Sequence, residues 1–353
     1  MTVIRLFSCE PFHVGGTYGK SFLSGRGEGE ILQAVMLKNG ELSQASDFES
    51  CELSEGELLL KLRLAGICRT DLELVAGYYP FSGVLGHEFV AEVIGGGSRY
   101  EGQRVVGEIN ASCQSCDFCK VEMGLHCPHR TVLGIVGRNG CFSNQFWLPE
   151  RNLHIVPENV PDESAVFVEP LAAAFRIVEQ VPMNSKQRWL VVGDGRLGQL
   201  VARVLALQGV QLTVLGRHSR KLSLLERLGI QTTREVEDVV PAEGSCGTFD
   251  FAVDCAGNSG GFDVARKALR PQGTLVLKST YSGSLSCDAS ACVVDEIRII
   301  GSRCGPFEPA IASLASGAID PRDLIDAEFG LSEAMEAFSK ASEKGVMKVL
   351  LRP

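Results

Sequence analysis

Four closely spaced cysteines constrain the fold of this chain more than any other feature. Cys113, Cys116, Cys119 and Cys127 form a C-x2-C-x2-C-x7-C run, which supplies four soft ligands within 15 residues. Such a run predicts a closed tetrahedral zinc site in a loop. An iron–sulfur cluster is the alternative, but the bacterial cluster run has a three-residue gap before its last cysteine, whereas this run has seven. The spacing therefore favours a structural zinc.

Length and composition favour a two-domain α/β protein. At 353 residues the chain exceeds one ordinary core, and 45% hydrophobic residues with 39 glycines suit that class. No apolar run approaches the ~20 residues that span a bilayer, so no membrane partner is expected. The net charge of −9 without a basic cluster argues against nucleic acid as a partner. Thirteen cysteines, an odd number with metal-type spacing, indicate a reducing compartment, and we expect the cytoplasm.

Residues 1–30 differ from the rest of the chain. They are rich in Gly and Ser and lack the apolar core of a secretory signal, which has about 7–15 residues. We expect an irregular N-terminal extension, and import into an organelle by this segment is the alternative.

After this segment the pattern predicts a mostly antiparallel β domain. Short strands bounded by glycine and polar residues are expected over Ile31–Leu37, Glu57–Leu64, Phe89–Ile94 and Arg104–Glu108. A helix is expected over Ser164–Gln180, where small residues permit close packing.

Continuous apolar strands that alternate with helices follow, and they predict a parallel doubly wound sheet. Strands are expected over Trp189–Val192, Leu212–Leu215, Phe249–Asp254 and Thr274–Lys278, with a helix over Leu197–Leu207. A later helix over Ser332–Lys344, capped by Ser332, precedes a strand over Met347–Leu351 that we expect to return to the first domain. The predicted division assigns residues 31–181 and 305–353 to the β domain and residues 182–304 to an inserted nucleotide-binding domain.

A glycine-rich turn joins the first of these strands to its helix. The residues are Gly193, Asp194, Gly195, Arg196, Leu197 and Gly198, which form a G-x-G-x-x-G. The first glycine permits the tight turn, the second lets a pyrophosphate approach, and the third allows close packing of helix on strand. Because the positive end of the helix faces the phosphates, we assign the turn to a dinucleotide cofactor.

The end of the next strand selects between the two nicotinamide cofactors. NAD sites place Asp or Glu there to accept a hydrogen bond from the ribose 2′-hydroxyl. Here the strand ends at Gly216, and Arg217, His218 and Arg220 follow. Glycine removes the carboxylate that would repel a 2′-phosphate, and a guanidinium binds phosphate well. The sequence therefore predicts a preference for NADP(H) over NAD(H).

A second set of metal-type residues precedes the four cysteines. Cys68 and Gly86-His87-Glu88 supply a thiolate, an imidazole and a carboxylate, which suit an open zinc site. The residues that match a known family in order are Gly66–Asp71, Gly86–Glu88, the four cysteines, Glu169–Ala172 and Gly193–Gly198. They resemble the zinc-containing medium-chain alcohol dehydrogenases over nearly all of residues 31–353. Glu169-Pro170 is similar to the polyol, glucose and threonine dehydrogenase branch of that family.

This resemblance implies a fold, two metal sites and a reaction. A GroES-like β domain would hold a catalytic zinc on Cys68, His87 and Glu169, leaving one place for a substrate oxygen, and the four cysteines would hold a structural zinc. Glu88 would be a resting-state ligand or a neighbour of the ligands that gives way to substrate. The implied reaction moves hydride between NADP(H) and an alcohol or carbonyl compound, with the alcohol deprotonated on zinc.

The resemblance also implies supporting residues. Asp71 would orient His87 through its second ring nitrogen, and Thr70 would pass the alcohol proton towards the cofactor ribose. Many relatives carry a histidine three residues after that threonine; here the position is Glu73, which either serves in the relay or is solvated. Arg69 and Lys348 are expected to contact the cofactor pyrophosphate.

Substrate and assembly are less constrained by the sequence. A polar secondary alcohol or ketone is favoured, and Tyr78, Tyr79, Phe81 and residues 139–142 either line its cleft or belong to core and rim. The segment Glu296–Gly301 is similar to the edge by which dimers of the family extend their sheets, so a homodimer or homotetramer is expected. The alternatives in function are an NAD-dependent polyol or amino-alcohol dehydrogenase and a non-catalytic NADPH-binding redox sensor.

Overall fold

The computed structural model describes residues 33–46, 54–280, 285 and 287–353. The expected extension over residues 1–30 and the start of the strand predicted from Ile31 lie outside them. The strands are β1 (Gln33–Lys38), β2 (Glu41–Ser46), β3 (Glu57–Ile67), β4 (Gly83–Val84), β5 (Glu88–Gly95), β6 (Arg104–Gly107), β7 (Asn110–Ala111), β8 (Thr131–Leu133), β9 (Gly137–Arg138), β10 (Gln145–Pro149), β11 (Leu153–Ile155), β12 (Arg188–Val192), β13 (Gln211–Leu215), β14 (Gln231–Thr233), β15 (Phe249–Asp254), β16 (Leu269–Leu277), β17 (Arg298–Gly301), β18 (Ile325–Gly330) and β19 (Lys348–Arg352).

The α-helices between these strands are short to medium in length. They are α1 (Arg69–Val75), α2 (Asp117–Lys120), α3 (Asp162–Ala165), α4 (Val168–Gln180), α5 (Arg196–Leu207), α6 (Ser219–Glu226), α7 (Ser259–Ala268), α8 (Ala289–Val294), α9 (Phe307–Ala315) and α10 (Ala334–Ser342). Single 3-10 turns occur at Gly124–His126, Glu150–Asn152, Val236–Asp238, Arg322–Leu324 and Leu331–Glu333. None of the helices in the described ranges is long and apolar enough to cross a membrane.

A mostly antiparallel sheet surrounds the long strand β3. The strand order is β11-β6-β5-β3-β19-β18, and β10 also pairs with β3. Strand β3 has 11 residues and pairs antiparallel with β5, β10 and β19, while β18 and β19 are parallel to each other. Because β19 pairs Val349 with Ile67, the chain returns at its end to the strand that leads into Cys68. Two small sheets, β2-β1-β4 and β7-β8-β9, accompany this one.

A six-stranded sheet between these parts is parallel throughout, with the order β14-β13-β12-β15-β16-β17. Its first strand is apolar and buried from Trp189 to Val192, as a sheet covered by helices on both faces requires. The strand order reverses between β12 and β15, so ligands are expected in the crevice at the carboxyl ends of those strands. The predicted fold class, an antiparallel β domain with a doubly wound parallel sheet, is confirmed.

Three local predictions need correction. The helix expected over Ser164–Gln180 is two helices, because Pro170 lacks an N–H and fits only the first turn of α4. Ser332 does not cap the next predicted helix; the amide of Gly330 donates to Oε2 of Glu333 at 2.8 Å, and the α-helix runs over Ala334–Ser342. The strand expected at Thr274 begins at Leu269 and ends at Leu277.

Candidate functional site

The four cysteine sulfurs form one compact cluster. The Sγ atoms of Cys113 and Cys127 are 3.5 Å apart, those of Cys116 and Cys119 3.5 Å, and the 116–127 and 113–119 pairs are 3.7 and 3.9 Å apart. A tetrahedron of sulfurs about 2.3 Å from zinc has edges of about 3.8 Å. These separations are far longer than the roughly 2.05 Å of a disulfide bond. The cluster therefore fits a single tetrahedral ion, and we call residues 113–127 the cysteine lobe.

A second group of ligand atoms lies at the carboxyl end of β3. The side chains of Cys68, His87 and Glu88 bring one ligand atom each within 4.8 Å of the others. Cys68 follows the last residue of β3, whereas Glu88 opens the neighbouring strand β5, so strand pairing brings them together. Gly86 directly precedes His87 and has φ +97°, and a Cβ there would lie 2.3 Å from the ring of Phe142. Only glycine therefore lets this loop pass the aromatic ring.

Asp71 contacts two members of this group, and its side chain is fully buried. Its Oδ2 atom accepts the backbone N–H of Cys68 at 2.8 Å, and its Oδ1 atom lies 3.3 Å from Nδ1 of His87 without hydrogen-bond geometry. Burial by itself lowers the pKa of His87. Asp71 and Cys68 raise this pKa by more than burial lowers it, so the net pKa is well above the usual value. The groups that stabilise a positive charge on this imidazole would also stabilise a bound cation.

Glu88 and Lys348 form a buried ion pair beside the group. Oε2 of Glu88 accepts a hydrogen bond from Nζ of Lys348, and the two side chains are 1% and 2% exposed. The ammonium also lies 5.3 Å from the centre of the Phe167 ring. Gly66 makes room for the pair, because a Cβ at that position would lie 2.6 Å from Oε2 of Glu88. Lys348 therefore has a different partner from the cofactor pyrophosphate predicted for it.

Glu169 stands in the first turn of α4 and faces the same site. Burial raises the pKa of its carboxyl to about 7; the charges of His87, Lys348 and Lys278 act to lower it, and that of Glu88 to raise it. Its oxygens are not among the ligand atoms that lie within 4.8 Å of one another. The structure thus brings Cys68, His87 and Glu88 into one group and places Glu169 near it.

Thr70, Arg69 and Glu73 lie on the first turns of α1. Oγ1 of Thr70 is 3.8 Å from Sγ of Cys68, so the hydroxyl is next to the metal-type group. Arg69 and Glu73, by contrast, pair with each other at 3.1 Å in an i,i+4 contact, and the arginine side chain is 74% exposed. The carboxylate predicted for the proton relay is therefore held by the guanidinium predicted for the pyrophosphate.

The glycine-rich turn has the geometry that its sequence predicts. Gly193 adopts φ +118°, and a Cβ there would lie 2.7 Å from the carbonyl oxygen of Cys255. Gly195 borders open space, with nothing within 4 Å of its ideal Cβ, and a Cβ on Gly198 would lie 2.1 Å from the carbonyl oxygen of Gly193. Leu197 packs against the core beneath the turn. A phosphate can therefore approach the backbone at Gly195 while helix α5 packs tightly behind it.

Arg196 connects this turn to the zinc-type site. Its Nη1 atom donates to the carbonyl oxygen of Ile67 at 2.7 Å, one residue before Cys68. One hydrogen bond therefore joins the nucleotide turn to the residue that precedes Cys68.

The predicted 2′-phosphate residues have unequal surroundings. His218 donates its backbone N–H to Asp194 at 2.7 Å and places Nδ1 3.0 Å from the same carboxylate, while Arg220 forms an ion pair with Asp326. The exposed guanidinium of Arg217 has no hydrogen-bond or ion-pair partner among the described residues. Gly216 is required by close approach, because a Cβ there would lie 2.7 Å from Cβ of Asp194.

Comparison with known proteins matches two domains of this chain. Residues 54–158 match the alcohol dehydrogenase GroES-like domain, which spans Cys68, His87 and the cysteine lobe. Residues 197–316 match the zinc-binding dehydrogenase domain, which begins within the nucleotide turn. The chain belongs to the zinc-type medium-chain dehydrogenases. Zinc and a nicotinamide cofactor are the groups that bind to enzymes of this family.

Relatives place this dehydrogenase in the polyol and threonine branch of the family. A D-arabitol-phosphate dehydrogenase of Enterococcus avium is 28% identical over 329 residues, which cover 86% of this chain and 92% of that protein. A sorbitol dehydrogenase of Halalkalibacterium halodurans is 26% identical over 315 residues, with 84% and 92% covered. A crystal structure from Sinorhizobium meliloti 1021, described as a zinc-binding dehydrogenase bound to NADP, has a TM-score of 0.84 at 26% identity and covers 92% of this chain and 100% of that one.

Sequence reasoning missed three residues of the dehydrogenase. Asp194, a variable position of the glycine motif, accepts the backbone N–H groups of Arg217 and His218 at 2.8 and 2.7 Å. Burial by itself raises the pKa of Asp194. The hydrogen bonds lower this pKa by more than burial raises it, so the net pKa is below the usual value. Gly66 and Lys278 were also missed, and only the tertiary contacts of each reveal a role. The sequence did offer one sign of a role for Asp194. It is an acid inside the glycine turn, and the next strand, β13, ends without an acid.

The aromatic residues near the expected cleft divide into two groups. Phe142 is fully buried and packs edge-on against Phe338 with ring centres 6.0 Å apart, so it belongs to the core of the dehydrogenase. Tyr78 and Tyr79 are 47% and 44% exposed. Of the residues considered for the cleft, these tyrosines are the most exposed, and Phe81 and Asn139 are half-buried.

Proposed function

We propose that this dehydrogenase moves a hydride between NADP(H) and a polar secondary alcohol, or the corresponding ketone, of polyol type. The observation that carries the proposal is the group of ligand atoms from Cys68, His87 and Glu88 within 4.8 Å at the end of β3. The nucleotide turn is hydrogen-bonded to that same strand end through Arg196. A metal site and a nucleotide site in contact suit a reaction in which an alcohol must meet a nicotinamide.

Two zinc ions per chain are part of the proposal, one in the cysteine lobe and one at the carboxyl end of β3, where Glu169 faces the group of Cys68, His87 and Glu88. Cys113, Cys116, Cys119 and Cys127 would hold a structural ion, and Cys68, His87 and Glu169 a catalytic one. Catalytic zinc acts as a Lewis acid that polarises a substrate oxygen and lowers the pKa of a hydroxyl. Asp71 keeps the imidazole of His87 oriented, since Nδ1 lies 3.3 Å from its carboxylate and leaves Nε2 for a ligand bond.

The charges around the site support Glu88 as a neighbour of the ligands. With an ion bound, a Cys68 thiolate and a Glu169 carboxylate would together balance its two positive charges. Lys348 balances Glu88, so that carboxylate adds no net negative charge to the site. A site of zero net charge leaves loss of the alcohol proton favourable, whereas an excess negative charge would oppose it.

Thr70 is the residue that we propose to accept the alcohol proton. Its hydroxyl is 3.8 Å from the Cys68 thiol and can pass a proton on to the cofactor ribose. Glu73 is proposed to stay outside this path, because Arg69 holds its carboxylate at 3.1 Å. Exchange of Thr70 for Val should lower kcat more than it raises KM, while Thr70→Ser should keep most of the activity.

The preference for NADP(H) rests on Arg217. It is the one predicted cation whose guanidinium lacks a protein partner in the described ranges, and its neighbour Gly216 carries no carboxylate. Asp194 does not replace that carboxylate, since its oxygens already accept two backbone N–H groups and face the imidazole of His218. A 2′-phosphate would therefore find a positive group and no unpaired acid.

Assembly through the edge of the parallel sheet completes the proposal. Strand β17 is the last strand of that sheet, and Val293, Val294 and Ile299 beside it are 76%, 80% and 45% exposed. Ile299 belongs to this edge strand, and Val293 and Val294 end helix α8 just before it, so exposed apolar side chains near an unpaired edge suit pairing with a second copy. Light scattering of the pure protein should give at least the mass of a dimer, and Ile299→Lys should reduce that mass.

The proposed function is tested by turnover. The zinc-loaded protein is given NADPH with aldehydes, simple ketones, keto-sugars and keto-acids, and NADH is compared in parallel. We expect oxidation of NADPH with a polar ketone and its loss in Cys68→Ser, with NADPH binding retained. Tight NADPH binding and two zinc ions without turnover of any alcohol or carbonyl would instead identify a non-catalytic binding protein.

A further inference from the structure

A buried lysine at the end of β16 has no role in the site described so far. Lys278 follows the last residue of that strand and is 7% exposed. Its Nζ atom donates to Oγ of Ser302 at 3.1 Å and to the carbonyl oxygen of Arg303 at 2.7 Å. No carboxylate of the described residues lies within 4.0 Å of it. An ammonium has three N–H donors, so one is left without an acceptor among the described residues.

Two arginines near this lysine also lack acidic partners. Arg303 is exposed and donates from Nη2 to Oδ1 of Asn110 at 2.6 Å. Arg130 donates from Nη1 to the carbonyl oxygen of Cys127 at 3.0 Å, while its buried Nε atom has no partner. Neither guanidinium forms an ion pair in the part of the chain that the structure describes. The charge of Arg303 acts on that of Arg130, so the two guanidinium groups lie near each other.

Hydrogen bonds hold two of these cations, Lys278 and Arg303, in one framework. Asn110 accepts from Arg303 and places its Nδ2 atom 3.3 Å from Sγ of Cys304, so residues 302–304 are fixed between β7 and β16. Cys304 in turn acts electrostatically on both Lys278 and Arg130.

This framework lies between the zinc-type site and the surface. Glu169 acts electrostatically on Lys278, and Tyr79, which is 44% exposed, acts on Arg130. The cations therefore extend from the reaction centre towards an accessible tyrosine. We call Lys278, Arg303 and Arg130 the cation set.

We propose that the cation set binds an anionic group, a phosphate ester or a carboxylate, carried by the alcohol substrate away from the reacting carbon. This inference rests on the proposed function and names its substrate class. A guanidinium fork binds the oxygens of either group in pairs, and the open N–H of the ammonium supplies a further donor. The charges of Arg303 and Arg130 repel each other, and a bound anion would remove that repulsion.

The phosphates of the cofactor do not account for the cation set. The nucleotide turn follows β12, whereas Lys278 follows β16, and β15 lies between those two strands. The 2′-phosphate is assigned to Arg217, which follows β13 on the other side of β12. The cation set therefore lies on the nicotinamide half of the crevice, where the substrate reacts.

The burial of Lys278 agrees with a ligand that arrives from outside. Burial lowers the pKa of Lys278 to about 8, although Cys255, Cys304 and Glu169 act to raise it. The protein thus carries the charge without full compensation. An anion in contact with the ammonium would supply the compensating negative charge.

The first test compares matched substrates on the zinc-loaded enzyme with NADP. Arabitol, arabitol 5-phosphate and the corresponding aldonic acid are assayed with the native enzyme, Arg303→Gln and Lys278→Met. We expect the native enzyme to favour the anionic substrates and each substitution to lower, about 10- to 100-fold, the ratio of kcat/KM for these substrates to kcat/KM for neutral arabitol. Phosphate ester and carboxylate are separated by which substrate loses more. Arg322→Gln is the control, because that exposed guanidinium has its own partner in Asp320 at 2.6 Å.

Equal use of neutral and anionic polyols, or equal losses for both in Arg303→Gln, overturns the inference. The second test needs no turnover: inorganic sulfate is titrated into the NADPH-saturated protein, and binding should be lost in Arg303→Gln and in Lys278→Met but kept in Arg322→Gln. Loss in these variants without turnover of any alcohol would support the anion site and reject the proposed dehydrogenase reaction. Sulfate binding that these substitutions leave unchanged would reject the anion site alone.

Discussion

Nζ of Lys348 lies against Oε2 of Glu88, and the two side chains are 2% and 1% exposed. These residues are 260 positions apart in the chain and meet because β19 pairs with β3, which pairs with β5. The pair fixes the carboxylate next to Cys68 and His87. Its charge is therefore settled by the fold before any ion or substrate arrives.

Lys348→Met should destabilise the protein by about 3–5 kcal/mol, because it leaves the Glu88 carboxylate buried and unpaired. Adding Glu88→Gln should recover most of that loss, since no buried charge then remains. Urea unfolding of the single and double variants measures both effects. Additive losses in the double variant would show that the pair is not coupled.

Gly66→Ala should disrupt the same pair from the backbone side. A Cβ at Gly66 would lie 2.6 Å from Oε2 of Glu88, whereas one at Gly95 would meet only Leu59, at 3.6 Å. Both glycines are in strands, so Gly95→Ala is a matched control. We expect Gly66→Ala to lose catalytic zinc and about 1–3 kcal/mol of stability, as overpacking does, and Gly95→Ala to keep both. Zinc analysis and denaturant unfolding decide, and equal behaviour of the two variants would contradict the close contact.

The cysteine lobe should lose its ion when one thiol is removed. Cys127 is fully buried and its sulfur is 3.5 Å from that of Cys113, so Cys127→Ser breaks a closed ligand set. We expect one zinc per chain to remain and the melting temperature to fall. Cys141→Ser serves as the control, because Cys141 is also buried but lies outside both ligand groups. Unchanged zinc content in Cys127→Ser would exclude the structural site.

Arg217→Ala should raise KM for NADPH about 10-fold or more and leave KM for NADH nearly unchanged, because only the former has a 2′-phosphate. Arg220→Ala is the matched control, since Asp326 already holds that guanidinium. Steady-state kinetics with both cofactors give the result. Equal effects of Arg217→Ala on the two cofactors would reject the NADP(H) preference.

Sulfate affinity should fall as pH rises through about 8, the pKa to which burial lowers Lys278. Cys255, Cys304, Glu169 and Arg176 also act on this ammonium, but only its loss of a proton removes a positive charge from the cation set in that range. Between this value and an unfolded pKa of about 10.4 the unfolded chain binds more protons, so the contribution of Lys278 to stability rises with pH. Sulfate is the probe because it stays dianionic. Lys278→Arg should bind sulfate with little change from pH 7 to 9.5.

Local patterns carried most of what could be predicted. The three glycines of the nucleotide turn act through backbone space within six residues, and the cysteine lobe is set by spacing alone. Contacts between distant residues could not be read in this way. The sequence assigned Glu88 to the zinc site and Lys348 to the cofactor, but it gave no sign that the two pair with each other, and Asp194 is a variable position of its motif. Their partners depend on strand pairing and on the course of a loop, so a one-dimensional pattern does not contain them.

The hydrogen bond from Arg196 to the carbonyl oxygen of Ile67 ties the glycine-rich turn to the last residue before Cys68. We expect a cofactor phosphate at this turn to compete with that carbonyl oxygen for the guanidinium. Binding of the cofactor and the position of a metal-type ligand would then be linked through a single peptide group.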